Sequence, residues 1–260
     1  MFSERLGNAI QASDGNLCVG LDPHRHLIPD RFARTATGIR SFLEWIIDET
    51  VEHACAFKPN SAFYEALGAD GWQLLEHVIE RVHQAGRPVI LDAKRGDIAS
   101  TAAAYATAAF EILDADAITL VAYMGDDAIV PFLEAGGFAF LLALPSNPSA
   151  RLIVDHGTPS LFECVAKMAV ELNLQFPNQV GLVVGATGTD AVSRLDSISA
   201  DLPWLIPGLG AQGGQAEAFF AQMTHERMTV VNASRSILFA PEPRQAAAEM
   251  KREIREAMNG

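Results

Sequence analysis

Scarcity in this chain narrows its function first. The cysteines, Cys18, Cys55 and Cys164, are odd in number, far apart and outside any C-x-x-C spacing. Neither a disulfide framework nor a zinc site is indicated, and a reduced cytosol is the expected compartment. Positive charge is also scarce, with 19 Lys and Arg against 32 Asp and Glu and a net charge of -13. Such a surface argues against a nucleic-acid partner, because Lys and Arg would have to neutralise phosphates over a broad patch; any phosphate bound must be gripped locally. No apolar run approaches the ~20 residues needed to cross a bilayer. The opening Met1-Phe2-Ser3-Glu4-Arg5-Leu6 lacks the pattern of a signal peptide, so a soluble protein with no membrane partner is expected. Low-complexity blocks, Gly/Ser-rich linkers and short repeats are missing too, and one domain over residues 1–260 follows.

What is present is an alternation. Short apolar runs at Leu17 to Asp22, Ala54 to Lys58, Pro88 to Lys94, Ala117 to Ala122, Phe138 to Leu144, Val180 to Gly185, Trp204 to Pro207 and Met228 to Ala233 are separated by segments of helical periodicity. The predicted helices are Gly38 to His53, Trp72 to Ala85, Ser100 to Leu113, Asp126 to Ala135, Ser160 to Leu172, Asp190 to Ile198, Gln215 to Met223 and Pro243 to Met258. Eight strands alternating with eight helices over about 250 residues make an α/β fold, a (β/α)8 TIM barrel.

That fold places chemistry at the C-terminal ends of the strands, and the polar residues gather there. Asp22 ends run one, Lys58 run two, Asp92 and Lys94 run three; Ser146 follows run five and Arg235 run eight. Residues two apart on a strand share a face, so Asp92 and Lys94 form a preformed ion pair while Ala93 points away. Taken alone, Asp92 and Lys94 could be a structural salt bridge and Asp97 a helix cap. Convergence of the other strand-end groups on the same face favours an active site.

After run seven comes Pro207-Gly208-Leu209-Gly210-Ala211-Gln212-Gly213-Gly214, and after run eight Asn232-Ala233-Ser234-Arg235-Ser236. In barrels this pair of loops is the usual phosphate site, with backbone N–H groups approaching the anion and an Arg fork completing the grip. A phosphomonoester substrate is expected.

The run Asp92-Ala93-Lys94-Arg95-Gly96-Asp97-Ile98-Ala99-Ser100-Thr101 resembles the signature of the orotidine 5′-phosphate decarboxylase family, in the branch with an R-G-D-I centre. Gly20-Leu21-Asp22-Pro23, Phe57-Lys58-Pro59-Asn60-Ser61-Ala62-Phe63-Tyr64-Glu65, and the Pro207 to Gly214 loop with Arg235 agree with it, in order along the chain. The resemblance implies that Asp22 contacts the ribose, that Lys58 joins the charged network and also touches the ribose, that Asp92 faces the reacting carboxylate and that Lys94 is the acid. It implies that Asp97 and Thr101 reach into a neighbouring subunit's site, so that a homodimer shares its active sites. Ser146 matches the pyrimidine-reading residue; Gln212 and Arg235 match phosphate ligands, with Gly210, Gly213 and Ser234 around them. The stretch from Asn147 to Thr158 reads as a lid.

The implied reaction, orotidine 5′-phosphate to UMP and CO2, leaves an electron pair on an sp2 carbon with no adjacent carbonyl to accept it. Electrostatic stabilisation must then dominate, and no metal or organic cofactor is required. Two rival readings share parts of this pattern. A Mg2+-dependent phosphosugar decarboxylase or aldolase of the same superfamily needs further oxygen ligands where run two instead ends in the Lys58 ammonium. A noncatalytic phosphate-binding barrel has no use for an intact Lys58, Asp92, Lys94, Asp97 set. Other groups read as structural: His24 and His26 as loop histidines, Phe63, Tyr64 and Trp72 as packing, Gly185 to Thr189 as a strand-to-helix connection, and Glu249 to Arg255 as a solvated helix face.

Overall fold

The computed structural model describes residues 1–185, 189–209 and 213–260. Its strands are β1 (Leu17–Gly20), β2 (Ala56–Lys58), β3 (Ile90–Arg95), β4 (Ala117–Leu120), β5 (Phe138–Leu144), β6 (Val180–Val184), β7 (Trp204–Pro207) and β8 (Thr229–Ala233). All pair in parallel in the order β2-β1-β8-β7-β6-β5-β4-β3. Parallel bridges Phe57 to Val89 and Asn60 to Asp92 join β2 to β3 and close the ring. The expected barrel is therefore observed.

The helices are α1 (Phe2–Ser13), α2 (Ala36–Thr50), α3 (Ser61–Glu65), α4 (Ala69–Gln84), α5 (Ala99–Ala106), α6 (Val130–Glu134), α7 (Arg151–Val154), α8 (Leu161–Gln175), α9 (Thr189–Ile198), α10 (Gly213–Phe220), α11 (Arg235–Leu238) and α12 (Pro243–Asn259). The helix expected over Ser100 to Leu113 divides into α5 and a wider π-turn segment, Thr107–Ile112. The helix expected over Asp126 to Ala135 divides into a 3-10 turn, Asp126–Ala128, and α6, which has Pro131 in its first turn. No helix among the described residues is long and apolar enough to cross a membrane.

Helix α1 is an addition to the expected pattern. It places Phe2, Leu6 and Ala9 in one cluster with Cys18, Ala56, Ile90, Ala117, Phe138, Phe140, Val183, Leu205 and Val230. These strand residues are the inward-facing set, so α1 plugs the N-terminal mouth of the barrel, with the Phe2 ring 4.7 Å from that of Phe138. The alternate strand residues, among them Val19, Phe57, Leu91, Ile118, Leu141, Val184, Ile206 and Val231, join the helices in the outer core.

Strand parity then positions the site. Two residues on from each inward apolar group come Gly20 after Cys18, Lys58 after Ala56, Asp92 after Ile90, Thr119 after Ala117, Pro207 after Leu205 and Asn232 after Val230. The period of two that builds the apolar plug turns these side chains into the layer above it.

Candidate active site

Lys58 and Asp92 are the centre of that upper layer. Lys58 Nζ donates to Asp92 Oδ2 at 2.8 Å, with side-chain exposures of 5% and 10%. Lys94 Nζ donates to Asp92 Oδ1 at 2.5 Å but is 45% exposed. Asn60 Nδ2 donates to Asp92 Oδ2 at 3.3 Å and Thr119 Oγ1 to Asp92 Oδ1 at 2.9 Å. Each carboxylate oxygen thus accepts two hydrogen bonds, which offsets the cost of burial, several kcal/mol or more for an unpaired ion. Burial by itself would raise the Asp92 pKa; the Lys58 and Lys94 ammonium groups outweigh it and hold the carboxyl far below the usual range. Burial would lower the Lys58 pKa, but Asp92 and then Asp22 reverse this and hold the ammonium above its ordinary value.

Regular alternation was expected to bring Lys94 beside Asp92, and the ion pair is present by a different route. Strand β3 shifts register against β4 between Leu91 and Arg95, and Lys94 has φ 46°, a left-handed conformation costly for a residue with a Cβ. Ala93 turns outward, against the outer core. Asp22 is buried at the end of the β1 run and accepts from the Asn60 backbone N–H at 3.3 Å.

Lys58, Asp92, Lys94 and Thr119 line a cavity of about 250 Å³ with Leu142, Pro145, Ser146, Val183, Leu205 and Pro207. One wall is charged and the other largely apolar, a surface suited to a flat heterocycle whose reacting atom faces the charges. A second cavity, of about 370 Å³, holds Asp22, His24, Gly208, Asn232, Ser234 and Arg235. Gly208, next to Pro207, has φ +88°, where a side chain would be strained. A Cβ on Gly20 would meet Ser234 Oγ at 1.9 Å, so glycine lets β1 pass against the β8 loop. Arg235 is exposed at the start of α11 and has no acidic partner among the described residues. Gly213 opens α10. Gly210, Gln212 and residues 186–188 of the expected connection lie outside the described residues.

Asp97 and Thr101 are not brought to Lys94 within the chain. Thr101 is exposed, and Asp97 Oδ1 accepts from the Ile98 backbone N–H at 2.8 Å. Asp97 does not cap α5, whose N-terminus has no side-chain cap. Ile98, Tyr123 and Met124 are exposed apolar side chains, Ile98 beside Asp97 in the chain and the other two in the connection after β4. The stretch read as a lid contains a 3-10 turn, Pro148–Ala150, and α7, with Leu152 and Ile153 exposed. His24 packs its ring 4.4 Å from Phe63, and Tyr64 is buried with its hydroxyl donating to Leu21 O at 2.9 Å. Among the described residues no cluster of three or more His, Cys, Asp or Glu side chains is arranged to hold a metal ion.

The model of the orotidine 5′-phosphate decarboxylase / HUMPS family matches residues 15–250. The chain belongs to that family. It is 43% identical over 269 residues to the orotidine 5′-phosphate decarboxylase of Roseiflexus castenholzii, covering 99% of this chain and 97% of the relative. It is 42% identical over 245 residues to that of Herpetosiphon aurantiacus, covering 92% and 90%. The solved Leishmania donovani OMP decarboxylase superposes with a TM-score of 0.88 at 37% identity, covering 100% of this chain and 99% of that one. The matched residues include β3 and the loop after it, where the register shift and the Asp92 network occur.

Three polar residues of the site had been given no role in the sequence. Asn60 was visible within the Lys58 segment. Thr119 and Asn232 were visible only through strand parity, each a polar residue two positions after an inward apolar one. Asn232 is buried, its Nδ2 donates to Ser234 Oγ at 3.3 Å, and its Oδ1 has no partner among the described residues.

Proposed function

We propose that this chain catalyses the decarboxylation of orotidine 5′-phosphate to UMP and CO2, as a single barrel domain in the cytoplasm and without a cofactor. The observation that carries the reading is the Lys58, Asp92, Lys94 array, with one buried ammonium and one facing a cavity, in a member of this family. In the proposed pose C6 lies over Lys94 and the carboxylate beside Asp92. The bond from C6 to the carboxylate carbon breaks, CO2 leaves, and the electron pair stays on C6. The Lys94 ammonium stabilises that charge and then gives its proton to C6. Asp92 keeps Lys94 charged and also faces the substrate carboxylate.

Asp22 and Lys58 take the ribose, and Ser146 the pyrimidine. Ser234 and Arg235 grip the phosphate with the Gly210, Gln212, Gly213 loop. Because the phosphate is remote from C6, its binding energy is available to organise the charged end, which raises the rate of the chemical step and not only affinity. A Mg2+-dependent relative is disfavoured because a cation near Asp92 would meet the Lys58 ammonium.

The active form is proposed to be a homodimer in which Asp97 and Thr101 complete the partner's site. The exposure of Thr101 and of the apolar Ile98, with Asp97 half-buried next to Ile98 and accepting from its backbone N–H rather than from Lys94, supports this. Absorbance decay of orotidine 5′-phosphate with purified protein tests the reaction: conversion to UMP with and without EDTA is expected, and absence of conversion by folded dimer would reject it. Mixed Lys94→Ala and Asp97→Ala subunits should recover activity; no recovery after confirmed exchange would reject shared sites.

A further inference from the structure

Between the pairs Leu91 to Ile118 and Arg95 to Leu120, β3 has three residues, Asp92, Ala93 and Lys94, where β4 has one, Thr119. This bulge places both charged residues at the cavity, and it takes the Lys94 backbone N–H out of the regular ladder. A buried N–H without an acceptor is costly. Here the acceptor is a side chain: Lys94 N donates to Thr119 Oγ1 at 3.0 Å. A hydroxyl that accepts there still has its own proton, and Thr119 Oγ1 donates it to Asp92 Oδ1 at 2.9 Å. The same carboxylate oxygen accepts from Lys94 Nζ at 2.5 Å. Thr119 is 1% exposed, so water cannot readily replace it.

We propose that Thr119 is a positioning residue for the decarboxylation, its one hydroxyl fixing both the left-handed Lys94 backbone and the Asp92 carboxylate so that the Lys94 ammonium is aimed at C6. The inference rests on the decarboxylase reading. Valine is nearly isosteric with threonine but cannot accept from Lys94 or donate to Asp92. Serine keeps both bonds and loses only a methyl group. The two substitutions therefore separate hydrogen bonding from packing.

The test is steady-state kinetics of Thr119→Val and Thr119→Ser on orotidine 5′-phosphate, with UMP affinity measured alongside. Thr119→Val should lower kcat about 10- to 100-fold while KM and the UMP Kd stay within about threefold, the pattern of an interaction realised in the transition state. Thr119→Ser should keep kcat within about threefold of wild type. Affinity for 6-hydroxyuridine 5′-monophosphate, whose ionised oxygen on C6 mimics the developing charge, should fall with kcat in Thr119→Val and not in Thr119→Ser. Equal loss in both variants, or a Thr119→Val enzyme with normal kcat, would overturn the role. If Thr119→Val does not fold, Thr119→Ala set against Thr119→Ser gives the same comparison. Wild-type turnover tests the reaction itself, and its absence would overturn the reading and this inference together.

Discussion

Asp92 and Asp196 are both buried carboxylates paired with cations, yet they sit at opposite ends of the barrel and do different things. Asp196, on α9, is 1% exposed; it accepts from the Thr224 backbone at 2.9 Å and the Thr224 hydroxyl at 2.7 Å, and pairs with His225 Nδ1 at 2.8 Å and with Arg227. The Arg227 side chain is fully buried, stacked 4.1 Å over Trp204 and donating to Ser199 O at 2.6 Å. Burial opposes ionisation of Asp196, and the hydrogen bonds from His225 and Thr224, with the Arg227 charge, more than reverse it. Here the charges are consumed by one another in a joint between α9 and the approach to β8. At Asp92 the second cation, Lys94, is half-exposed toward a cavity. A paired buried carboxylate is therefore not a functional signal by itself. The informative feature is a cation that is held by the carboxylate and still free to meet something else.

The sharpest break of this comparison is Lys94→Ala. Turnover should fall at least about 1,000-fold, combining loss of the proton donor and of the charge at C6, while UMP affinity and thermal stability change little. Near-normal kcat would remove Lys94 from the chemistry. Arg227→Met should do the reverse: it strands Asp196 and costs about 3–5 kcal/mol of stability, read as a fall in Tm on the order of 10 °C, with kcat of the folded enzyme unchanged. A loss of kcat without loss of Tm would make the lower pair functional after all. Arg235→Ala should weaken UMP about 10- to 100-fold, as expected for lost charge-assisted hydrogen bonds, and leave uridine affinity unaltered; equal losses would reject the phosphate assignment.

The smallest effect expected is with pH. The folded Asp92 carboxyl titrates below its unfolded value near pH 4, so its ionisation stabilises the fold above that pH, and the contribution disappears as pH falls through the lower folded value. Lys58, shifted upward, contributes fully below about pH 10 and loses its contribution as pH rises through its folded value. At saturating substrate, kcat should therefore show no acid limb from Asp92 between about pH 7 and 5. A limb in that window that is lost in Asp92→Asn would contradict the assigned charge state.

The barrel was legible because short apolar runs alternate with segments of helical periodicity, and several of those runs end in a charged residue where this fold keeps its chemistry. Lys58, Asp92 and Lys94 were legible for the same reason. Thr119 was not, since a threonine within Ala117-Ile118-Thr119-Leu120 reads as an ordinary β-former until the register shift opposite it is seen. Helix α1 was passed over although Phe2, Leu6 and Ala9 have helical spacing, because the surface they bury against exists only once eight distant strands have closed. The π-turn at Thr107–Ile112 was hidden because apolar periodicity over an Ala-rich stretch does not separate a four-residue from a five-residue hydrogen-bond step. Asp97 and Thr101 were legible from the motif alone: within the chain Asp97 meets the Ile98 backbone N–H and neither residue is brought to Lys94, so the shared site proposed for them is tested only by mixing subunits.

The most direct test of the central claim is a crystal structure of the UMP complex set beside one of the free enzyme. The account predicts Lys94 Nζ about 3–3.5 Å from C6, the reach of a group poised for proton transfer, with the Lys58 and Lys94 contacts to Asp92 unmoved and Arg235 newly placed on the phosphate. If C6 instead lies beyond reach of Lys94, or the ammonium has swung away from Asp92 to bind the nucleotide, the charged end is not prepared in advance and the account is contradicted.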